Sequence, residues 1–101
     1  MKFIISTEAW NDIDSIYNYY STTASEKIAR KICLKIIAAL EQIEKHPKSG
    51  AAEQQLSFLN KNYRRVISGN YKIIYRVSEK EIFVVTVFDC RQDPEKLSKK
   101  I

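Results

Sequence analysis

Four basic residues in the second half of the chain could bind an anionic partner together. They are Arg65, Lys72, Arg76 and Arg91. Three lie in segments with strand character and the fourth follows the last strand, so the strand period of two places all four on one face of a sheet. A guanidinium can bind a carboxylate or phosphate through two parallel hydrogen bonds, which lysine cannot copy. The pattern therefore predicts a target-binding face made by these four residues.

Local ion pairs are the alternative explanation for two of these cations. Arg76 and Arg91 each have two acidic residues nearby in the sequence. These neighbours are Glu79, Glu81, Asp89 and Asp93. Exposed pairs of this kind contribute only about 0–1 kcal/mol. They would shape the chain locally rather than bind a target.

Cleavage of RNA would require more than cations. The reaction needs a base for the 2′-hydroxyl, an acid for the leaving oxygen and cations on the phosphate. Tyr63 could reach the basic face, whereas the single histidine, His46, ends a helix, where a cation is favoured. No metal-ligand spacing and no nucleophile motif is present, so we expect neither a metal nor another cofactor. The catalytic candidates of an RNA-cleaving chain would be Tyr63, Arg65, Arg76 and Arg91.

The elements that position these residues follow from hydrophobic periodicity and turn signals. The predicted elements are a strand at 2–6, a helix at about 8–20, a helix from a capping box at 23–26 to His46, a loop at 47–62 and strands at 63–68, 71–78 and 81–90. The order βααβββ predicts one α+β domain over residues 1–101, in which an antiparallel helical hairpin packs on a mostly antiparallel sheet.

Two tight turns, at Gly69-Asn70 and Glu79-Lys80, predict which strand residues share a face. The helix-facing set is Val66, Tyr71, Ile73, Tyr75, Val77, Ile82, Val84, Thr86 and Phe88, with Arg64 at its margin. The other face combines the four cations with Tyr63, Ile67, Ile74, Phe83, Val85, Val87 and Asp89. A one-residue slip in either turn would exchange the two sets.

The second helix has an apolar face and a basic face. The apolar face is predicted to contain Ile28, Ile32, Ile36, Leu40 and Ile43, widened by Ala29, Cys33 and Ile37. Lys27, Arg30, Lys31 and Lys35 lie on the opposite side. Such a stripe indicates a solvated helix face, and contact with nucleic acid is the alternative.

Composition places the chain among ordinary globular domains. It has 101 residues, 45% of them hydrophobic, and 17 Lys and Arg against 12 Asp and Glu, for a net charge of +5. The basic balance favours an acidic partner, either a protein or a nucleic acid. Cys33 and Cys90 are too few for a disulfide framework, and no segment has the length of a signal peptide core or a membrane span. We therefore expect a cytoplasmic protein that does not engage a membrane.

Two stretches of the sequence resemble one protein family. The run Tyr63–Val77, YRRVISGNYKIIYRV, is similar to the central hairpin of the RelE/ParE toxin superfamily. The run Val87–Pro94, VFDCRQDP, is similar to the family's last strand and the short segment that follows it. The first helix and the segment from Pro47 to Gly50 also fit. The resemblance covers nearly the whole chain and implies the toxin of a bacterial type II toxin-antitoxin system, with an acidic antitoxin as partner.

The resemblance leaves the target open because the superfamily has two branches. One branch cleaves messenger RNA on the ribosome, and the ParE-like branch inhibits DNA gyrase. RNA-cleaving members typically keep a tyrosine or histidine after the last strand, and residues 91–101 contain neither. This departure favours a gyrase inhibitor that acts by binding. A ribosome-dependent endoribonuclease and a degenerate toxin that binds only its antitoxin remain the alternatives.

Overall fold

A computed structural model describes all 101 residues of the chain and confirms the α+β order. Its elements are β1 (Lys2–Ile5), α1 (Thr7–Thr23), α2 (Glu26–Lys45), β2 (Ala51–Ala52), a 3-10 helix (Gln54–Leu59), β3 (Arg64–Ser68), β4 (Tyr71–Val77), β5 (Glu81–Asp89) and α3 (Glu95–Lys99). The short strand β2, the 3-10 helix and α3 were not predicted. No helix is both long and apolar enough to cross a membrane.

Serine residues cap both long helices. The Ser6 hydroxyl accepts a hydrogen bond from the Ala9 amide at 3.0 Å, and the Ser25 hydroxyl accepts one from the Ile28 amide at 3.2 Å. The capping box predicted for α2 placed its cap at residue 23, which is wrong. Thr23 still belongs to α1, where its hydroxyl donates to the Tyr19 carbonyl at 2.7 Å.

The five strands form one sheet in the order β1-β5-β4-β3-β2. β1 is parallel to β5, and all other neighbours are antiparallel. The Gly69-Asn70 turn is as predicted, since Ser68 pairs with Tyr71 and Gly69 has a positive φ of 58°. A positive φ at the first turn position is typical of the type II′ hairpin turn, which favours glycine there.

The pairing of β4 with β5 changes register in the middle. Val77 pairs with Ile82 and Tyr75 with Val84, as predicted, but Ile74 pairs with Thr86. Val85 is therefore the extra residue of a β-bulge, and a one-residue shift exchanges the two faces of a strand.

The face predicted for the far half of β5 is consequently wrong. Val87 and Asp89 lie opposite Ile73 and Tyr71, on the side that faces the helices, which we call the helix side. Phe88 lies opposite Lys72, on the other side, which we call the second side.

Each side of the sheet supports a hydrophobic cluster. On the helix side, α1 and α2 cover a cluster of 14 buried residues that includes Ile36, Ile43, Ile73, Tyr75 and Val84. The second side is not an open aliphatic floor, because the 3-10 helix and α3 cover its centre. The smaller cluster there contains Leu56, Tyr63, Ile74, Phe88 and Leu97.

The buried Tyr75 fixes the chain as it leaves α2. Its hydroxyl donates to the Pro47 carbonyl at 2.7 Å and accepts from the Gly50 amide at 2.9 Å. A Cβ at position 50 would lie 2.5 Å from that hydroxyl, so only glycine fits. Arg64 donates to the Gly50 carbonyl at 2.8 Å. These bonds set the start of β2 and hence the position of Glu53.

Candidate binding surfaces

A buried carboxylate organises two of the four predicted cations on the second side. Glu53 precedes the 3-10 helix and is only 4% exposed. Its two oxygens form ion pairs with Lys72 and, at 3.5 Å, with Arg65, which also donates to the Ala52 carbonyl. A carboxylate this deeply buried needs such partners, because an unpaired buried charge is strongly unfavourable. Glu53 therefore holds both cations in fixed positions, and we call this group the Glu53 cluster.

The two cations of this cluster differ in their access to a partner. The Arg65 side chain is 33% exposed, whereas the Lys72 side chain is 14% exposed. The Lys72 ammonium lies 5.7 Å from the centre of the Phe88 ring, a cation–π distance. Of the two, Arg65 presents more surface to an incoming target.

Arg76 lies on the same side but belongs to a different environment. It stands four residues beyond Lys72 on β4, which corresponds to about 13 Å along a strand. Its guanidinium carbon lies 5.3 Å from the centre of the Phe83 ring. Neither Glu79 nor Glu81 forms an ion pair with it, so the local pairing proposed for Arg76 is wrong.

Arg91 lies on the helix side, and the prediction that it shares a face with Lys72 is wrong. The bulge places Asp89 opposite Tyr71, and Arg91 binds Asp89 with Nε and Nη2 at 2.9 and 2.8 Å. Nη2 also reaches the hydroxyls of Tyr20 at 3.2 Å and Tyr71 at 3.5 Å. The local pairing with Asp89 is therefore the one the structure contains. The Arg91 side chain nevertheless remains 52% exposed.

The protonation chemistry around Arg91 follows from these contacts. Hydrogen bonds from Arg91 hold the pKa of the Asp89 carboxyl below its ordinary value, and the same pairing raises the pKa of Arg91. Burial raises the pKa of Tyr71, while the hydrogen bond that Tyr71 donates lowers the pKa of Tyr20. The shifts of Asp89 and Arg91 keep that ion pair in its charged form. The pair borders a cavity of about 460 Å³ between α1, β5 and the C-terminal residues.

On the same side, Asp12 of α1 joins three parts of the chain. One carboxylate oxygen accepts from the Thr86 hydroxyl at 2.6 Å and from the Val87 amide at 2.9 Å, and the other accepts from Lys100 at 2.7 Å. It therefore holds the helix against the bulge and ties down the C-terminal segment. We call this group the Asp12 cluster.

The structure separates the catalytic candidates rather than gathering them. Tyr63 lies on the second side, as predicted, but it is only 6% exposed and packs in the cluster around Leu97. Arg65 lies in the Glu53 cluster, Arg76 lies beside Phe83, and Arg91 lies on the opposite side of the sheet.

Asp12 and Glu53 were missed as organising residues. Asp12 had a usable signal, because an acid one turn from the buried Ala9 and Ile16 interrupts an apolar helix stripe. Glu53 had none, since it stands in a polar run whose course depends on Tyr75 and Gly50.

The fold matches a solved structure, and the sequence matches a family model. The solved structure of the chromosomal ParDE TA system from P. aeruginosa matches with a TM-score of 0.74 at 21% identity, covering 88% of this chain and 95% of that chain. A comparison with curated proteins found no match. The family model for the ParE toxin of the type II toxin-antitoxin system parDE matches residues 3–94. The chain belongs to the ParE toxin family.

Proposed function

We propose that this chain is a growth-inhibiting cytoplasmic toxin that binds DNA gyrase and is neutralised by a cognate acidic antitoxin. Membership of the ParE family supports the toxin role. The observation that favours binding over catalysis is the division of the cations between two sides of the sheet. RNA cleavage needs cations, an acid and a base around one phosphate. Arg65 and Arg91 cannot meet there without a rearrangement of β5.

The contacts of each cation indicate whether it would bind the target directly or hold another residue in place. Arg65 and Arg76 are partly exposed and Arg91 is exposed, so we assign all three direct contacts with carboxylates of the target. Lys72 is mostly buried against Glu53 and Phe88. Its contribution to target binding is to hold Glu53 and, through it, Arg65.

Antitoxin binding is supported by the charge and by the exposed surface. The chain carries a net charge of +5 and exposes several large apolar side chains on its helices, among them Trp10, Tyr19 and Leu34. A disordered acidic and apolar segment can wrap such a surface and become ordered as it binds. Tight association that weakens with salt is expected for this kind of partner.

Controlled expression in bacteria tests the proposal. We expect growth arrest when the chain is induced alone, and relief when the adjacent reading frame is co-expressed. Primer extension on translated messages should give no new 5′ ends. New ends inside codons would replace the gyrase proposal with ribosome-dependent cleavage. A lack of growth arrest, together with tight binding of the neighbour's product, would identify a degenerate toxin that binds only its antitoxin.

A further inference from the structure

Basic side chains collect at the end of the sheet where β1, β3 and β5 begin and β4 ends. Lys2 begins β1, and its amide donates to the carbonyl of Lys80, in the turn between β4 and β5, at 2.9 Å. Arg64 begins β3 and donates to the carbonyl of Lys48, just beyond α2, at 3.3 Å. The end of α2 therefore reaches the same place. We call this surface the basic end, and its cations are Lys2, Lys45, Lys48, Lys61, Arg64 and Lys80.

Two adjoining depressions, of about 610 and 560 Å³, open on the basic end. Lys48 and Arg64 line the larger one, and Lys45 and Lys48 line the smaller one. Glu79 is the only acidic residue in either lining. The two depressions meet at residues that belong to both linings, which are Met1, Lys48 and Val77. A molecule that occupied both depressions would therefore contact several cations and a single acid.

The charges of the basic end are not neutralised within the chain. None of its cations takes part in any of the four ion pairs. Arg64 bonds through Nη1 alone, which donates to the carbonyls of Lys48 at 3.3 Å and Gly50 at 2.8 Å. These bonds hold the segment after α2 against the start of β3, so Lys48 and Arg64 stay close together. Two like charges held together repel each other, and a bound anion would relieve that repulsion.

We propose that the basic end binds the phosphate backbone of duplex DNA without reading its sequence. Three strand spacings separate β1 from β3 in the sheet. At about 4.8 Å for each spacing, the backbones of Lys2 and Arg64 lie about 14 Å apart. The major groove of B-DNA is about 12 Å wide, so cations at this separation can meet phosphates on both edges of the groove. Contacts of this kind give affinity and carry no sequence information.

Other anionic partners fit the composition of this surface less well. Proteins that bind single strands stack the bases on exposed aromatic rings, but the aromatic residue in these linings, Tyr63, is only 6% exposed. Protein interfaces are enriched in aromatic residues and depleted in lysine. At the basic end, by contrast, all the cations except Arg64 are lysines. The surface therefore suits a phosphate backbone better than an acidic protein.

Fluorescence anisotropy of a labelled DNA duplex, titrated with the purified full-length chain, tests the inference. The duplex has about 20 base pairs, and the salt concentration runs from about 50 to 200 mM. If about four of the cations each meet a phosphate, a plot of log binding constant against log salt concentration should have a slope of about −3.6. Two duplexes of unrelated sequence should bind equally, and a single strand of the same length should bind more weakly.

Matched pairs of variants locate the binding site. Lys45→Gln with Lys48→Gln removes two charges from the basic end and should make the slope shallower by about 2. Lys31→Gln with Lys35→Gln removes the same charge from an exposed face in the middle of α2 and should leave the slope unchanged. Arg64 is kept, because its carbonyl contacts also hold the chain beyond α2. Melting temperatures confirm that each variant folds.

The outcomes separate this inference from the proposed function, on which it does not depend. The inference is wrong if the duplex does not bind at the lowest salt concentration, or if the single strand or polyglutamate binds more tightly. It is also wrong if both pairs of variants weaken binding equally, since net charge alone would then attract the DNA. A larger effect of the pair in the middle of α2 would place the site there instead. If the chain arrests no growth, the proposed function fails, and the DNA titration still decides whether the basic end binds a duplex.

Discussion

Asp12 and Glu53 each join segments that are distant in the sequence, but they do so with different kinds of partner. Asp12 accepts from a backbone amide and a hydroxyl at the bulge, and Lys100 adds one contact. Glu53 is paired only with two long cationic side chains. Backbone amides cannot move away to find water, whereas lysine and arginine side chains can. In the Asp12 cluster, replacing the acid should therefore cost the most unfolding free energy. In the Glu53 cluster, replacing a cation should cost the most.

The largest effect is expected for Lys72→Met. The variant leaves the buried Glu53 carboxylate with one partner at 3.5 Å, and an incompletely paired buried charge costs about 3 kcal/mol of unfolding free energy. Urea unfolding at neutral pH measures the difference. The double variant with Glu53→Gln is the control, because it removes the charge as well and should recover most of the loss. A double variant as unstable as Lys72→Met would mean that lost packing on Phe88, rather than charge, is responsible.

Asp12→Ala should have the next largest effect, a loss of about 2 kcal/mol of unfolding free energy. It leaves the buried Val87 amide and Thr86 hydroxyl without an acceptor, and each unsatisfied buried group is costly. Asp12→Asn keeps one oxygen acceptor and should lose less. Hydrogen exchange of the Val87 amide gives a local measure, with faster exchange expected in Asp12→Ala. Unchanged exchange would show that the bulge holds itself without Asp12.

Loss of the cation should matter much less in the Asp12 cluster than in the Glu53 cluster. Lys100→Met should change the unfolding free energy by no more than about 0.5 kcal/mol, since Asp12 keeps its two other donors and the pair is partly exposed. It should, however, raise the susceptibility of residues 95–101 to carboxypeptidase. If Lys100→Met destabilised the chain as much as Lys72→Met, the proposed contrast between the clusters would be wrong.

Some parts of the fold could be predicted from the sequence, and the bulge in β5 could not. The sequence predicted the features that depend on neighbouring residues. These are the periodicity of helices and strands, the Gly69-Asn70 turn and the register near Val77. The bulge at Val85 was not predicted, since a run of similar β-branched residues carries no mark of an inserted position. That single residue moved Arg91 from the second side to the helix side.

The smallest effect concerns the pH dependence of the exposed Asp89–Arg91 pair. Arg91 lowers the pKa of Asp89 in the folded state, so the pair's contribution is present above the ordinary carboxyl pKa of about 4 and disappears as pH falls through the lowered value. Arg91→Met should raise the Asp89 pKa toward its ordinary value, measured by NMR titration of the carboxyl carbon. An unchanged pKa would show that the backbone amide of Arg91, rather than its guanidinium, holds the carboxylate.

DNA supercoiling by purified gyrase tests the central claim most directly. The chain should inhibit supercoiling in proportion to its concentration, and the purified product of the adjacent reading frame should restore activity. Arg91→Ala should fold normally and inhibit less, because it removes an exposed guanidinium with little effect on the core. Full gyrase activity at saturating concentrations of the folded wild-type chain would contradict the account, and a fully inhibitory Arg91→Ala would remove Arg91 from the binding surface.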